Sequence, residues 1–478
     1  MHLGTKLIKN TSYLTIGNQI GNLLQFILFL YFARQFGETV VGQYSFAFSF
    51  TFVFSVLADL GLSAYLIREV ARDRSGTRKI FAVCLTLRII ALMLFSLLAV
   101  IIVFVFFDSY PQETIKIIVL LGLYHIFLSI ADVFLGEFLG HDQMGLVAAL
   151  NLFVKFIISI TGICLIWLQF EFLTVLTCFP IGSLIYAILC ITLSFYYFRH
   201  IKLEFKTLDL KGLFVNIFPF TLTLILAHIL YQQDILILRF LKDDQAVGLY
   251  SVSNSVVLAL MGFLFFVHTA LLPTFSRLFV DSRQKLIEIS RQSIRYLILI
   301  GLPVSTGLYA ISDKLIILFF SRTFVNSIGA LKIMSWAIAF GFAATTYSVL
   351  LTAIDRQTQK VIVLGICVVF NIALNLLLIP KLSYNGAAAA KLITEVIHFI
   401  LMAYMASKYL TWISLSTIFA KPALSCLLMY LLIQFLDQLN IVFLILTAAL
   451  FYFLALGAMR GYDKEEINFV KSFFLKSI

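Results

Sequence analysis

Long runs of apolar residues follow one another along most of this 478-residue chain, and they restrict it to folds that span a membrane. A helix needs about 20 predominantly apolar residues to cross the hydrocarbon core of a bilayer. Hydrophobic residues make up 62% of the chain and charged residues 12%, whereas a soluble domain has roughly 45–50% and about 25%. The sequence therefore predicts an all-α polytopic membrane protein with little mass outside the bilayer.

The spacing of the apolar runs predicts about 14 transmembrane helices. Six Cys lie inside these runs without disulfide or metal-binding spacing, so they are interpreted as small apolar residues. The predicted spans lie near residues 11–33, 41–65, 80–106, 115–139, 146–168, 175–198, 213–236, 248–272, 293–312, 328–353, 360–379, 386–407, 421–436 and 439–459.

Lys and Arg predict the orientation of these spans, because cytoplasmic loops carry the excess of basic residues. Alternate connections together hold 24 Lys and Arg, and the connections on the opposite side hold 7. Both termini are therefore expected in the cytoplasm, with the chain in the inner (plasma) membrane. The same asymmetry accounts for the net charge of +11, so nucleic acid is not expected as a partner.

A short motif occurs twice. Arg34 precedes Val-Gly-Gln-Tyr-Ser at 41–45, and Arg239 precedes Val-Gly-Leu-Tyr-Ser at 247–251. Each Arg falls at the predicted outer end of an odd-numbered span, and each pentapeptide opens the next span. Six spans separate the copies, which preserves their orientation and indicates a parallel repeat. The alternative is generic interfacial sequence, with Gly for a turn and Tyr for the aromatic belt.

The repeat predicts two pseudo-symmetric six-helix lobes plus two C-terminal helices. Transporters built from two such halves hold their substrate between them, near the bilayer midplane. The predicted parts are an N-terminal lobe (1–198, helices 1–6), a cytoplasmic linker (199–212), a C-terminal lobe (213–407, helices 7–12), and helices 13–14 with a cytoplasmic tail (408–478).

Three segments resemble those of a known family. RQFGETVVGQYSFAFSFTFVFSVLADLGLSAYLIREVAR is similar to the first hairpin of Wzx-type polysaccharide flippases, in the multidrug/oligosaccharidyl-lipid/polysaccharide exporter superfamily. DILILRFLKDDQAVGLYSVSNS is similar to their seventh-to-eighth helix junction. NIALNLLLIPKLSYNGAAAAKLITEV resembles their eleventh-to-twelfth helix signature.

This resemblance implies a V-shaped pair of lobes that work by alternating access. It implies a polyprenyl-diphosphate-linked oligosaccharide as cargo, such as an O-antigen repeat unit for lipopolysaccharide, and a groove for the lipid tail beside helices 13 and 14. The implied partners are membrane lipid, a polysaccharide polymerase and a chain-length regulator, with the flippase itself a monomer.

Such cargo sets requirements on the protein. Each sugar hydroxyl that enters hydrocarbon without a partner costs roughly 4–8 kcal/mol, and the diphosphate adds negative charge. The head group therefore needs a hydrophilic path with some fixed positive charge, whereas the tail can stay in lipid.

Four charged residues share one depth of the predicted N-terminal lobe, about 10–14 Å from the cytoplasmic end of their spans. These are Asp59, Arg88, Asp132 and Lys155. They are expected to face an interior and to pair with one another, because a lone charge in the bilayer is expensive. In the functional alternative, Lys155 and Arg88 contact the diphosphate and Asp59 takes part in ion coupling.

In the predicted C-terminal lobe the charges lie toward the outside. Lys332 and Lys391 are candidates for substrate binding, and Asp234 and Glu395 are candidates for ion coupling. Lys391 and Glu395 are four residues apart on one helical face, so they can also pair with each other. Asp234 can equally form a salt bridge with Arg239.

Two further pairs are candidates for contact with substrate. Arg34 and Arg239 can receive the diphosphate through bidentate contacts at the outer mouth, or extend to outer head groups. Asn371 and Asn375, four apart on span 11, either line the path and bind sugars or bind a neighbouring helix.

The chain contains no Gly-x-x-x-x-Gly-Lys-[Ser/Thr] segment, so no ATPase activity is expected of it. No cofactor is predicted, and H⁺ or Na⁺ is the candidate coupling ion. The first alternative function is a drug/cation antiporter of the same superfamily, which requires a net acidic cleft. The buried charges balance, and Arg34 and Arg239 add positive charge.

The second alternative is a membrane glycosyltransferase, polymerase or ligase. Such enzymes need a sizeable loop outside the membrane with acidic or His catalytic groups. The longest predicted outer connection, 312–328, has about 17 residues and no paired carboxylates with room to work. The sequence therefore predicts a transporter rather than an enzyme.

Overall fold

The computed structural model describes residues 2–74, 77–106, 112–198, 210–409 and 416–462. Within these ranges the regular structure is helical, which confirms the predicted class. A short 3₁₀ helix occupies Arg322–Phe324. The α-helices are α1 (His2–Asp59), α2 (Leu62–Arg72), α3 (Thr77–Phe106), α4 (Gln112–Gly140), α5 (Met144–Trp167), α6 (Phe172–Leu176), α7 (Cys178–Phe198), α8 (Leu210–Leu241), α9 (Asp244–Met261), α10 (Leu264–Asp281), α11 (Arg283–Ala310), α12 (Ser312–Phe320), α13 (Ser327–Ala353), α14 (Gln357–Leu382), α15 (Tyr384–Ser407), α16 (Ser416–Phe435) and α17 (Ile441–Ala458).

These helices account for the fourteen predicted spans. Eleven stretches of the described residues are long and apolar enough to cross a membrane. One of them, Tyr13–Arg72, contains two spans, because α1 is broken at Gly37. Helix α8 and the shorter apolar stretch Phe419–Phe435 complete the set.

Gly37 makes the first hairpin possible. Its backbone angles are φ 76° and ψ −179°, a region that essentially only glycine occupies. The chain therefore turns there between the first two predicted spans. Other breaks were not predicted; for example, the second span is interrupted at Leu60–Gly61, and the eighth is interrupted at Gly262–Phe263.

The chain divides into two compact units. Unit 1 consists of Met1–Ser255 and Leu364–Ala387, and unit 2 consists of Val256–Val363 and Ala388–Ile478. The predicted lobe boundaries stay a prediction. The predicted linker, 199–212, lies outside the described residues except for its last three positions.

In unit 1, α1 lies along α5 and α4 lies along α7. Small residues bring α1 and α5 close together: a Cβ placed on Gly17 would lie 3.3 Å from the Ala148 carbonyl oxygen. Large side chains such as Phe46, Phe138 and Tyr186 are fully buried in its core.

In unit 2, α11 packs against α13 and α16, and α16 packs against α17. The Tyr452 hydroxyl of α17 donates to the Leu299 carbonyl of α11 at 3.1 Å. Lys314 and Asp437 form an ion pair of 2.9 Å. The last two spans are therefore packed within unit 2, against α11.

Candidate functional site

Unit 1 contains a polar cavity of about 420 Å³, which is room for roughly a dozen water molecules. Its walls come from α1, α2, α3, α4, α5 and the middle of α8. We call it the polar cavity. Its polar lining residues are Asn18, Ser55, Asp59, Ser63, Arg88, Asp132, Asn151, Thr221 and His228.

An ion-pair cluster in the wall of this cavity joins three of the four charges that were predicted to share one depth. Arg88 Nη1 lies 2.5 Å from Asp59 Oδ1, and Nη2 lies 3.9 Å from Asp132 Oδ2. Arg88 Nε also donates to the Ser129 carbonyl at 3.1 Å. The Arg88 side chain is 2% exposed, whereas that of Asp132 is 54% exposed. Asp59 therefore anchors the guanidinium, and Asp132 remains accessible for further hydrogen bonds.

Asp59 owes its position to the break between α1 and α2. Its carboxylate accepts from the Ser63 hydroxyl at 2.6 Å and from the Gly61 backbone N–H at 3.2 Å. These bonds and the Arg88 contact engage both carboxylate oxygens. Use of Asp59 in ion coupling, which stays a prediction, would require the coupling ion to compete with them.

Lys155, the fourth charge, lies beside the cavity rather than in the cluster. Its Nζ donates to Asn22 Oδ1 at 2.6 Å. One turn away on the same two helices, Asn151 Nδ2 donates to Asn18 Oδ1 at 3.3 Å. Since Asn18 and Asn151 line the cavity, Lys155 is held one helical turn from its wall.

The lining of the polar cavity carries more negative than positive charge, and the fixed positive charge expected along a diphosphate path stays a prediction. Its lining carries the Arg88 guanidinium and two carboxylates, Asp59 and Asp132. The predicted lysines Lys155, Lys332 and Lys391 lie outside this lining. The cavity is therefore acidic on balance, and it suits groups that donate hydrogen bonds to carboxylates.

A second buried network surrounds Asp234 in unit 1. The Asp234 side chain accepts from the Tyr250 hydroxyl at 2.6 Å and from Asn375 Nδ2 at 2.7 Å. Asn371 Oδ1 accepts from Asn375 Nδ2 at 2.8 Å and from Gln233 Nε2 at 2.6 Å. All five residues are buried. In this structure the two carboxamides of α14 therefore bind α8, one of the two alternatives for them.

The two repeated arginines occupy unlike surroundings. Arg34 is exposed. Arg239 forms an ion pair with Asp244 and lies 6.0 Å from the centre of the Phe46 ring. Gln43 Nε2 also reaches Asp244 Oδ2, at 3.5 Å. Arg239 is thus built into unit 1.

In unit 2 the candidate residues lie on two helices, α13 and α15. Lys332 Nζ of α13 lies 5.8 Å from the centre of the Tyr309 ring. Glu395 of α15 is 8% exposed and meets His398 Nδ1 at 3.4 Å. Lys391, on the same helix, is 5% exposed, and its pairing with Glu395 stays a prediction.

Several buried polar residues were not predicted. Gln233 and Tyr250 complete the Asp234 network, and Asp244 pairs with Arg239. Glu137, which is fully buried on α4, accepts from the Ser194 hydroxyl of α7 at 2.6 Å. A carboxylate within a predicted span was the available signal for Glu137.

The fold of this chain is similar to that of several solved membrane proteins. The whole chain is similar to a structure described as the lipid II flippase MurJ in an inward closed conformation: the TM-score is 0.78, identity is 18%, and the match covers 93% of this chain and 98% of that one. It is also similar to an inward-facing multidrug resistance MATE transporter of the MOP superfamily (TM-score 0.68, 14% identity, 81% and 94% covered). A MOP superfamily transporter from Pyrococcus furiosus gives a TM-score of 0.60 at 13% identity, with 84% and 96% covered. The chain has the fold of these polytopic transporters.

The sequence of the chain also matches two protein-family models. The model described as Polysaccharide biosynthesis protein matches residues 7–279, more than half of the chain, and the MatE model matches residues 219–377. The chain belongs to the polysaccharide biosynthesis protein family. No curated protein matches it in sequence.

Proposed function

We propose that this chain translocates polyprenyl-diphosphate-linked oligosaccharide repeat units from the inner to the outer leaflet by alternating access. The observation that carries the proposal is a hydrogen-bonding cavity enclosed by membrane-spanning helices, in a member of the polysaccharide biosynthesis family. Hydroxyl-rich head groups need such a cavity because each unpartnered hydroxyl costs roughly 4–8 kcal/mol in hydrocarbon.

The polar cavity suits the sugar part of this cargo. Carboxylates accept hydrogen bonds from sugar hydroxyls, and carboxamides both donate and accept. Asp132 supplies an accessible carboxylate, and Asn18 and Asn151 supply amides. The diphosphate would be repelled by the two carboxylates, so its partners are proposed outside the cavity.

Bases near the cavity and at the predicted outer ends are the proposed partners of the diphosphate. Lys155 lies one turn from the cavity wall, and Arg34 is exposed at the predicted outer end of its span. Arg239, Lys332 and Lys391 are the further candidates. The polyprenyl tail, being apolar, stays in the lipid throughout.

Asp234 is the proposed site of ion coupling. A buried carboxylate with amide neighbours offers the oxygen ligands that small hard cations take, and it can also accept a proton. Either H⁺ or Na⁺ would compete with the bonds from Tyr250 and Asn375. Occupation would therefore loosen α8 from α9 and α14, which gives the ion a way to act on conformation.

Antiport of cationic drugs is the second candidate function. Two observations favour it: the MatE model matches residues 219–377, and the polar cavity carries two carboxylates to one guanidinium. A cationic drug could pair with Asp132 directly.

Deletion of the chain in its own host separates the two candidates. The proposed function predicts that lipid-linked oligosaccharide accumulates in the inner leaflet and that surface polysaccharide is lost. The Lys155→Ala variant should reach the wild-type level in the membrane. It should nevertheless neither relieve the accumulation of lipid-linked oligosaccharide nor restore the surface polysaccharide. Normal surface polysaccharide in the deletion strain, together with greater sensitivity to cationic drugs, would contradict the proposal and support antiport.

Copurification tests the expected assembly. We propose that the chain works as a monomer in the inner membrane, beside a polysaccharide polymerase and a chain-length regulator. Crosslinking in native membranes followed by affinity capture of the chain checks these partners.

A further inference from the structure

The two copies of the repeated motif touch each other through their glycines. A Cβ placed on Gly42 would lie 1.7 Å from the carbonyl oxygen of Asp244, and a Cβ placed on Gly248 would lie 1.9 Å from that of Glu38. No residue other than glycine fits at either position without a shift of backbone. The contact is reciprocal, because each glycine meets the residue four places before the other glycine.

Such reciprocity is the geometry of a self-complementary interface, in which the same patch is used twice. Helices in membranes approach this closely where small residues replace side chains. The valines that precede the glycines, Val41 and Val247, are buried beside the crossing. The crossing explains why both copies carry Val-Gly.

Polar side chains bracket the crossing. Gln245 Nε2 donates to Glu38 Oε1, and Gln43 Nε2 donates to Asp244 Oδ2 at 3.5 Å. Gln245 is exposed and Glu38 is partly exposed, so water can replace their bond when the two helices part. Two glycine surfaces also separate without leaving a side-chain cavity behind.

The crossing lies between the polar cavity and the predicted outer side. Gly42 and the cavity residue Ser55 are on the same helix, about 20 Å apart at 1.5 Å per residue. Gly248 is near the start of α9, which directly follows α8, another helix of the cavity wall.

We propose that the Gly42–Gly248 crossing is the outer closure of the transport path, which forms when the cavity is shut to the outside and parts when it opens there. This rests on the proposed function, because only alternating access requires the crossing to part. The repeat is then the two halves of one closing contact.

A reversible crosslink tests this. In a variant whose six native cysteines are Ala, Glu38→Cys and Gln245→Cys place thiols on the two sides of the crossing. The matched control is Gln35→Cys with Gln169→Cys. These two side chains are also exposed and bonded to each other, at 3.1 Å, but they lie on α1 and just after α5. Transport by the cysteine-free parent sets the reference.

The expected result is that oxidation of the 38/245 pair stops export of polysaccharide and that reduction restores it, while the 35/169 pair exports normally in both states. Normal export with the 38/245 pair fully crosslinked would overturn the proposal, since the crossing would then be a permanent packing contact.

A labelling measurement does not depend on the identity of the cargo. Ser55→Cys is added to each pair, and right-side-out vesicles are treated with a membrane-impermeant maleimide. The closure predicts that crosslinking 38/245 abolishes labelling and that crosslinking 35/169 leaves it unchanged. If crosslinking 38/245 abolishes labelling but the cysteine-free parent moves no lipid-linked sugar, the closure is supported and the proposed function is rejected. Equal labelling in both crosslinked pairs would reject the closure.

Discussion

The two copies of Val-Gly-x-Tyr-Ser share a sequence and a crossing, yet their tyrosines do different things. Tyr44 lies among aromatic rings, with ring centres 5.6 Å from Phe32 and 5.9 Å from Phe179. Tyr250 is fully buried and donates to the Asp234 carboxylate. The same residue therefore packs one helix and supports a charged network on another.

The arginines of the two copies also differ in their surroundings. Arg34 is exposed, whereas Arg239 is paired with Asp244, the residue whose carbonyl faces Gly42 at the crossing. The glycines, by contrast, are used alike. The backbone contact is therefore the symmetric part of the repeat, whereas Tyr250 and Arg239 of the second copy bind buried carboxylates and Tyr44 of the first copy packs among aromatic rings.

The largest effect is expected from adding a methyl group at the crossing. Gly42→Ala and Gly248→Ala should each destabilise the closed arrangement by about 3 kcal/mol, the upper end for overpacking, because the clash is with backbone. That is roughly a 150-fold shift toward the open form. Maleimide labelling of Ser55→Cys from outside should rise equally in both variants.

Gly307→Ala is the matched control, since a Cβ there would meet nothing within 4 Å. Unequal labelling in the two crossing variants would contradict the symmetry that we assign to the glycines. An increase in labelling in Gly307→Ala as large as theirs would show that the effect is not specific to the crossing.

The arginine pair should show the next largest difference. Arg239→Ala leaves Asp244 without its ionic partner and should lower the stability by about 2 kcal/mol, the low end for a buried charge pair. Arg34→Ala should lower the stability by less, because its side chain is exposed, and should reduce export. Thermal unfolding in detergent, together with an export assay, checks both. A stable Arg239→Ala protein would show that the ion pair is dispensable.

The tyrosine pair should differ by a smaller amount. Tyr250→Phe removes a donor from a buried carboxylate, which should cost about 1.5 kcal/mol. Tyr44→Phe keeps every ring contact and should change stability by no more than about 0.5 kcal/mol. The melting temperatures of the two variants measure the difference, and equal values would mean that the two tyrosines are equivalent after all.

Gln43→Leu should also have only a small effect, because it copies Leu249, the residue at the same place in the second copy. Its bond to Asp244 is long, at 3.5 Å, so the loss should be about 0.5 kcal/mol. The same unfolding assay applies, and a loss comparable to that of Arg239→Ala would make Gln43 a main partner of Asp244.

The sequence predicted the number of spans, and most of their limits, because a helix that crosses the bilayer needs an apolar run of a minimum length. The predicted span at 328–353 matches α13, and the one at 386–407 matches α15. The breaks at Leu60–Gly61 and Gly262–Phe263 were not predicted, since apolar residues continue through both and hydropathy does not report backbone angles.

The site was predicted in part. Depth along the spans grouped Asp59, Arg88 and Asp132 correctly, because residues at one depth on neighbouring helices can meet. Depth does not tell which way a side chain points, so Lys155 was expected in the same cluster and instead bonds to Asn22. The repeat was visible in the sequence, but only the three-dimensional packing shows that its two copies touch.

Transport by the purified chain is the decisive measurement for the proposed flippase activity. Liposomes are prepared with the host's lipid-linked oligosaccharide, and the fraction of sugar that periodate oxidises from outside is followed over time. Wild-type protein should expose sugar from the inner leaflet, whereas the oxidised 38/245 cysteine variant should not, until it is reduced. If the inner sugar stays protected in wild-type liposomes while the same protein moves ethidium across the membrane, the proposed flippase activity is contradicted.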